Sequence, residues 1–185
     1  MSWLSALLFA LAAVAAAAAG AGLLVLWWYR RRTGFGPSLG RGTEVVASDT
    51  GAAPSVLLRD PALGLRGRPD YVLAEGEGEG RRLVPLEVKP GRRSRRLYES
   101  DRVQLAAYLI ALRATHGAQA SSAGYVRYAR DTFRVELTGE LEQRVARIVA
   151  AIRAGRSAAV VHRSHDSAAR CAACPMRRHC DEALA

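Results

Sequence analysis

Residues 3 to 29 read WLSALLFALAAVAAAAAGAGLLVLWWY and contain no charged side chain. An apolar run of this length is more than a soluble core helix needs. At about 1.5 Å per residue, a helix this long crosses a hydrocarbon layer of roughly 30 Å with some tilt. Trp3 stands at one end and Trp27, Trp28 and Tyr29 at the other, where amphipathic rings settle at a membrane interface. Arg30, Arg31 and Arg32 follow directly. No positive charge precedes the run, which argues against a cleaved signal peptide. A buried soluble helix is the other alternative. The expectation is one transmembrane helix in the cell inner membrane, single-pass, with everything after the arginines cytoplasmic.

That segment divides the chain of 185 residues. Residues 1–32 form the anchor with its basic flank, 33–42 (TGFGPSLGRG) a Gly/Pro/Ser linker, 43–160 a folded core and 161–185 a Cys-rich tail. The formal charge of +10 lies entirely outside the apolar run. Such a basic surface attracts polyanions, either nucleic acid or an anionic membrane face; a general bias towards arginine is the bland alternative. Of the 27 lysines and arginines, Lys89 is the only lysine. Arginine is a wide fork that stays protonated, whereas lysine is a compact ammonium whose pKa moves with its surroundings. Position 89 therefore stands out.

The core alternates short apolar runs with helical patterns. Thr43 to Ala53 is weakly patterned and is expected as a short helix. Ser55 to Arg59, Tyr71 to Ala74 and Leu83 to Val88 read as strands, with Glu75 to Gly80 (EGEGEG) as a hairpin loop. Gly91 to Arg96 (GRRSRR) is a basic loop. Leu97 to Thr115 has helical spacing, with Gly117 as its stop. Ala123 to Tyr128 and Thr132 to Leu137 are two further strands. Glu140 to Ala154 is amphipathic, with Leu141, Val145, Ile148, Val149 and Ile152 on one face and Gly155 as its stop. The fold class is α/β, with one central sheet.

Asp70 closes the run Gly67-Arg68-Pro69-Asp70 and enters a strand. Glu87-Val88-Lys89 ends the next one. Antiparallel pairing across the Gly-rich loop brings Asp70 and Glu87 to the same end of a hairpin. Glu87 and Lys89 are two apart and share a face. Two carboxylates suit a hard cation such as Mg2+ or Mn2+, with the Val88 carbonyl as a further ligand. Such a cation polarises a phosphate and acidifies a water, and a lysine beside it offsets developing negative charge. This chemistry fits phosphodiester hydrolysis. The D…ExK pattern alone is weak and recurs by chance. Gln104 and Tyr108 lie at i and i+4 on the following helix, so they share a face able to reach the same point. Arg92, Arg93, Arg95, Arg96 and Arg102 surround the site in sequence and suit a DNA backbone; a solvated loop is the alternative.

Cys171-x2-Cys174-Pro175-x4-Cys180 has the spacing of thiolate ligands. An odd, tightly clustered count is a poor disulfide framework. An iron–sulfur cluster, zinc, or three reduced thiols are the alternatives. His179, His165 or His162 is a candidate fourth ligand.

The order GLRGRPDYVL, LEVK, QLAAY and CAACPMRRHC, from about Leu57 to Cys180, resembles the RecB-like nucleases of the PD-(D/E)XK superfamily, and within them the CRISPR-associated exonuclease family. The resemblance implies a restriction-endonuclease-like core, a central mixed sheet flanked by helices. It implies Asp70 and Glu87 as metal ligands, Lys89 as catalytic lysine, and Gln104 and Tyr108 as an accessory pair. It further implies exonuclease action on single-stranded or end-opened DNA with Mg2+ or Mn2+, and a 4Fe-4S cluster on Cys171, Cys174 and Cys180. CRISPR defence and DNA repair are both open as settings. The family also places a histidine upstream and a fourth cysteine near the N-terminus. Here His116, His162, His165 and His179 all follow the site, so Glu44 and Asp49 are the upstream candidates. The missing ligands motivate an alternative, a weak or inactive membrane-anchored DNA-binding scaffold that keeps the fold.

Overall fold

The computed structural model describes residues 20–24, 43–49, 51 and 53–184. The expected Trp3–Tyr29 span lies outside these residues except for Gly20–Leu24, which are helical with Leu23 and Leu24 exposed. The linker at 33–42 also lies outside them. Among the described residues, no helix is long and apolar enough to cross a membrane.

The described residues hold seven strands in chain order: β1 Glu44–Ser48, β2 Leu58–Asp60, β3 Leu65–Gly67, β4 Tyr71–Glu75, β5 Arg82–Lys89, β6 Ala123–Tyr128 and β7 Thr132–Glu136. Among the described residues from 43 on, three α-helices accompany them: α1 Glu99–His116, α2 Gly139–Ser157 and α3 Ala168–Ala172. Five strands form one sheet in the order β1-β4-β5-β6-β7, while β2 and β3 pair separately. Pairing is antiparallel except between β5 and β6. Parallel neighbours need a long crossover, and α1 supplies it. The result is a mixed α/β core, a central mixed sheet with flanking helices, which fits the restriction-endonuclease-like fold.

The described residues form two compact units, divided between Val145 and Ala146. In the first, alternation along β4 sends Val72 to one face and Tyr71 and Leu73 to the other. Val72 joins Ala47, Leu58, Ala111 and Leu112, so β2 and α1 cover that face. Tyr71 and Leu73 cluster with Val84 and Leu86. Fully burying a leucine such as Leu58 or Leu112 contributes about 1.5–3 kcal/mol. Helix α1 carries Glu99 and Asp101 in its first turn and Arg113 in its last, charges that complement the helix dipole. Gly117, at φ +57°, terminates it.

Two expectations are corrected. Thr43 to Ala53 carries strand β1, not a helix, because Val45, Val46 and Ala47 complete the sheet edge beside β4. Helix α2 passes through Gly155 to Ser157, a tolerated glycine. Its apolar stripe is only half used: Leu141 and Val145 are buried, whereas Ile148 and Ile152 are exposed. Within the second unit, α3 is capped by Ser167, whose hydroxyl accepts from the Arg170 N–H.

Candidate active site

The site forms where β4 begins. Tyr71 is the first β4 residue, paired with Leu86. Beyond that point Val88 has no β4 strand partner, and its N–H donates to Asp70 Oδ2 at 2.7 Å. The carboxylate thus replaces a missing rung of the ladder. In a strand, the N–H and C=O of one residue point to the same edge. The Val88 carbonyl therefore leaves β5 on the Asp70 side.

Glu87 and Lys89 share the α1-facing side of β5. Lys89 Nζ donates to Glu87 Oε1 at 2.6 Å. Gln104, on α1, donates from Nε2 to the same Oε1 at 2.8 Å and to Tyr108 Oη at 3.0 Å. Glu87 is buried at 4% exposure, and its Oε2 has no hydrogen-bond partner. A buried carboxylate oxygen left open costs free energy unless something meets it. Burial raises the Glu87 pKa; the hydrogen bond from Lys89 opposes this, and the nearby charge of Asp70 adds to the rise. For Lys89, burial alone would lower the pKa, but the hydrogen bond and charge of Glu87, with Asp101 and Asp70, outweigh it and raise it. Burial also raises Tyr108, so its hydroxyl keeps its proton near neutrality.

Gly67 explains how Tyr108 reaches this point. A Cβ at position 67 would lie 2.5 Å from Tyr108 Cε1. The glycine serves a close approach, and no unusual φ requires it.

The structure separates the two upstream candidates. Glu44 sits at the far end of β1, opposite Ala74, and pairs with Arg81 at 2.6 Å. Asp49 adjoins the site: its N–H donates to the Asp70 carbonyl at 3.0 Å, and its Oδ1 accepts from Ser55 Oγ at 3.2 Å. No group of three or more His, Cys, Asp or Glu side chains among the described residues is placed to hold a metal ion. The cation ligands on offer are therefore two carboxylates, Asp70 and Glu87, with the Val88 carbonyl. That suits Mg2+, which binds through one or two carboxylates and otherwise keeps water or takes substrate phosphate oxygens.

The basic loop is anchored through Arg92. Its Nε lies 2.8 Å from Asp101 Oδ2, and its guanidinium is 4.4 Å above the centre of the Tyr98 ring. Asp101, 3% exposed, also accepts from Tyr128 Oη at 2.6 Å, and that oxygen accepts from the Tyr98 N–H at 2.9 Å. Arg92 is thus tied to Asp101, with its side chain still part-exposed. Arg93, Arg95, Arg96 and Arg102 are exposed, with no side-chain partner among the described residues. Sequence reading missed Asp101 and Tyr128. The available signal was an acid in the first turn of a helix entered from an arginine run.

The tail thiols are free. Cys171 is buried, Cys174 exposed and Cys180 half-buried. They form no metal-holding group among the described residues. Cys171 Sγ accepts from the Leu184 N–H, His162 pairs with Glu182, and His165 Nδ1 accepts from the Ser167 N–H. Two of the three candidate fourth ligands are thus engaged elsewhere.

A family model described as the PD-(D/E)XK nuclease superfamily matches residues 4–181. No curated protein matches the chain.

Proposed function

The chain belongs to the PD-(D/E)XK nuclease superfamily, and from that premise we propose that it hydrolyses DNA phosphodiesters, with Mg2+ or Mn2+, at Asp70, Glu87 and Lys89. One observation carries this reading: the buried, unpartnered Oε2 of Glu87, beside a second carboxylate and an ammonium. Asp70, Glu87 and the Val88 carbonyl would hold the cation. When bound, it supplies Lewis-acid polarisation of the phosphate and a more acidic water.

The remaining work falls to the chain. The Val88 N–H fixes one oxygen of Asp70 and leaves the other for the ligand. Gln104 and Lys89 both hold Oε1 of Glu87, so the carboxylate presents Oε2 in one orientation. Lys89 donates to Glu87 Oε1, so its ammonium stands where it can orient a reacting oxygen and offset charge on the phosphate. The Tyr108 hydroxyl stays protonated and accepts from Gln104, holding that amide in place.

The finer reading is exonuclease action on single-stranded or end-opened DNA, supported by the order of the four motifs. The charge-free run from Trp3 to Tyr29, with Arg30 to Arg32 behind it, supports tethering at the cytoplasmic face of the inner membrane. The test is DNA cleavage by purified full-length protein with Mn2+, with Lys89→Ala as control. Losing one donor aimed at developing charge costs about 100- to 1,000-fold in rate. Equal degradation by a folded Lys89→Ala protein refutes the assignment. Extraction of the full chain from membranes by alkaline carbonate refutes the tether.

A further inference from the structure

We infer that the β2–β3 hairpin is a nucleic-acid backbone grip, with Arg59 and Arg66 as its phosphate-binding pair. Arg59 and Arg66 are direct cross-strand partners in this two-stranded sheet. Residues directly opposite in an antiparallel pair have Cβ atoms about 4.5–5.5 Å apart. Like charges in that relation repel, and natural hairpins have little reason to keep them. Both side chains are exposed, and neither guanidinium has an ion pair or hydrogen bond among the described residues. Asp60, next to Arg59, accepts from the Leu63 N–H to hold the turn. The pair is thus an unrelieved concentration of positive charge on a short, well-packed element.

The placement says which polyanion fits. Alternation puts Leu58 and Gly67 on the inner face of the hairpin and Arg59 and Arg66 on the outer one. Leu58 is fully buried in the cluster with Ala111 and Leu112 of α1. The Arg59 N–H donates to Thr115 Oγ1 at 3.2 Å, and that hydroxyl, 2.7 Å from the Ala111 carbonyl, shares its one proton between that oxygen and the Arg59 carbonyl at 3.2 Å. The inner face is therefore fixed to the helix that carries Gln104 and Tyr108. Gly67 lies against the Tyr108 ring, and Tyr108 is hydrogen-bonded to Gln104 and through it to Glu87. Arg68, two residues past Arg66, is exposed and also without a side-chain partner. Two guanidinium forks held this close, each with five donors, suit a phosphodiester backbone. They carry no base-reading geometry, so the grip is sequence-independent.

The inference rests on the nuclease reading, and the experiment separates the two. Full-length protein in detergent, with EDTA to prevent turnover, is titrated with labelled 30-nucleotide duplex DNA across a range of NaCl. Each phosphate contact contributes about 0.9 to the slope of log K against log salt on duplex. Arg59→Gln/Arg66→Gln is expected to flatten that slope by about 1.8, alike for different sequences. With Mn2+ the same variant should raise KM and leave kcat unchanged. Each single variant should melt at the same temperature or higher, because the repulsion is gone. An unchanged slope in the double variant, with wild-type binding intact, overturns the grip and leaves the nuclease reading standing. A lower melting temperature with an unchanged slope makes the pair structural and overturns it as well. Loss confined to binding of phosphatidylglycerol vesicles assigns the pair to the membrane, with the same effect. A flattened slope in a protein that cleaves no DNA supports the grip and sinks the nuclease reading.

Discussion

Gly67→Ala tests the link between the β2–β3 hairpin and the site. The added Cβ would stand 2.5 Å from Tyr108 Cε1 and 3.1 Å from Cδ1. Carbon pairs prefer about 3.5–4.0 Å, so the ring must retreat by about 1 Å. It is not free to do so, because its hydroxyl is held by Gln104 at 3.0 Å. Overpacking of this kind costs about 1–3 kcal/mol. Removing the freedom of a glycine at an ordinary φ returns about 0.4–1 kcal/mol. The net is a loss of about 0.5–2 kcal/mol, or a few degrees of melting temperature at roughly 2–4 °C per kcal/mol for a chain of this size. The decisive assay is a double-mutant cycle in urea denaturation. In a Tyr108→Ala background the clash has no second partner, so Gly67→Ala should become neutral or stabilising, with a coupling energy of about 1–3 kcal/mol. An equal penalty in both backgrounds refutes the close-approach account.

Two further predictions follow from the charges. Asp101→Ala leaves the Tyr128 hydroxyl without its acceptor and Arg92 without its carboxylate. It should cost about 2–3 kcal/mol in urea unfolding and speed trypsin cleavage between Arg92 and Arg96; a loss below about 0.5 kcal/mol with unchanged proteolysis counts against the anchor. The Glu87 carboxyl is raised above its ordinary 4.5 in the fold, so the folded chain binds that proton more tightly than the unfolded one. Its contribution to stability is full below pH 4.5 and is lost as pH rises through the folded value. In EDTA, wild-type stability relative to Glu87→Gln should therefore fall as pH rises from about 4.5, and Mn2+ should restore it most at the higher pH. Lys89, raised above 10.5, stays charged throughout this window. A pH-independent difference would show that burial does not penalise this carboxylate.

Much of the core was legible because its signals are local. The EGEGEG loop and the alternation around it announce β4 and β5, and Gly117 ends α1 where a positive φ is needed. Glu87, Lys89, Gln104 and Tyr108 share faces by spacing alone, and the fold brings them into one hydrogen-bonded chain. What failed to show depends on long-range pairing. Strand β1 has a weak pattern of its own and takes its form from β4. Arg92 reads like its arginine neighbours until Asp101 and Tyr128, 27 positions apart, meet beside it. The Arg59–Arg66 opposition exists only once the hairpin register is known.

Pro85 sits inside β5, a strand with neighbours on both sides, and Gly124 lies beside it on β6. A Cβ at 124 would meet the Pro85 carbonyl at 2.8 Å and its ring Cγ at 3.0 Å. The two residues work as a key and its keyhole. If β5 slid by one position, Ala123 or Tyr125 would confront the proline ring, and neither leaves room for it. The same slide would turn Glu87 and Lys89 to the opposite side of the sheet, away from Gln104. A residue that weakens hydrogen bonding in the strand therefore guards its alignment, and with it the side on which the carboxylate and the ammonium emerge.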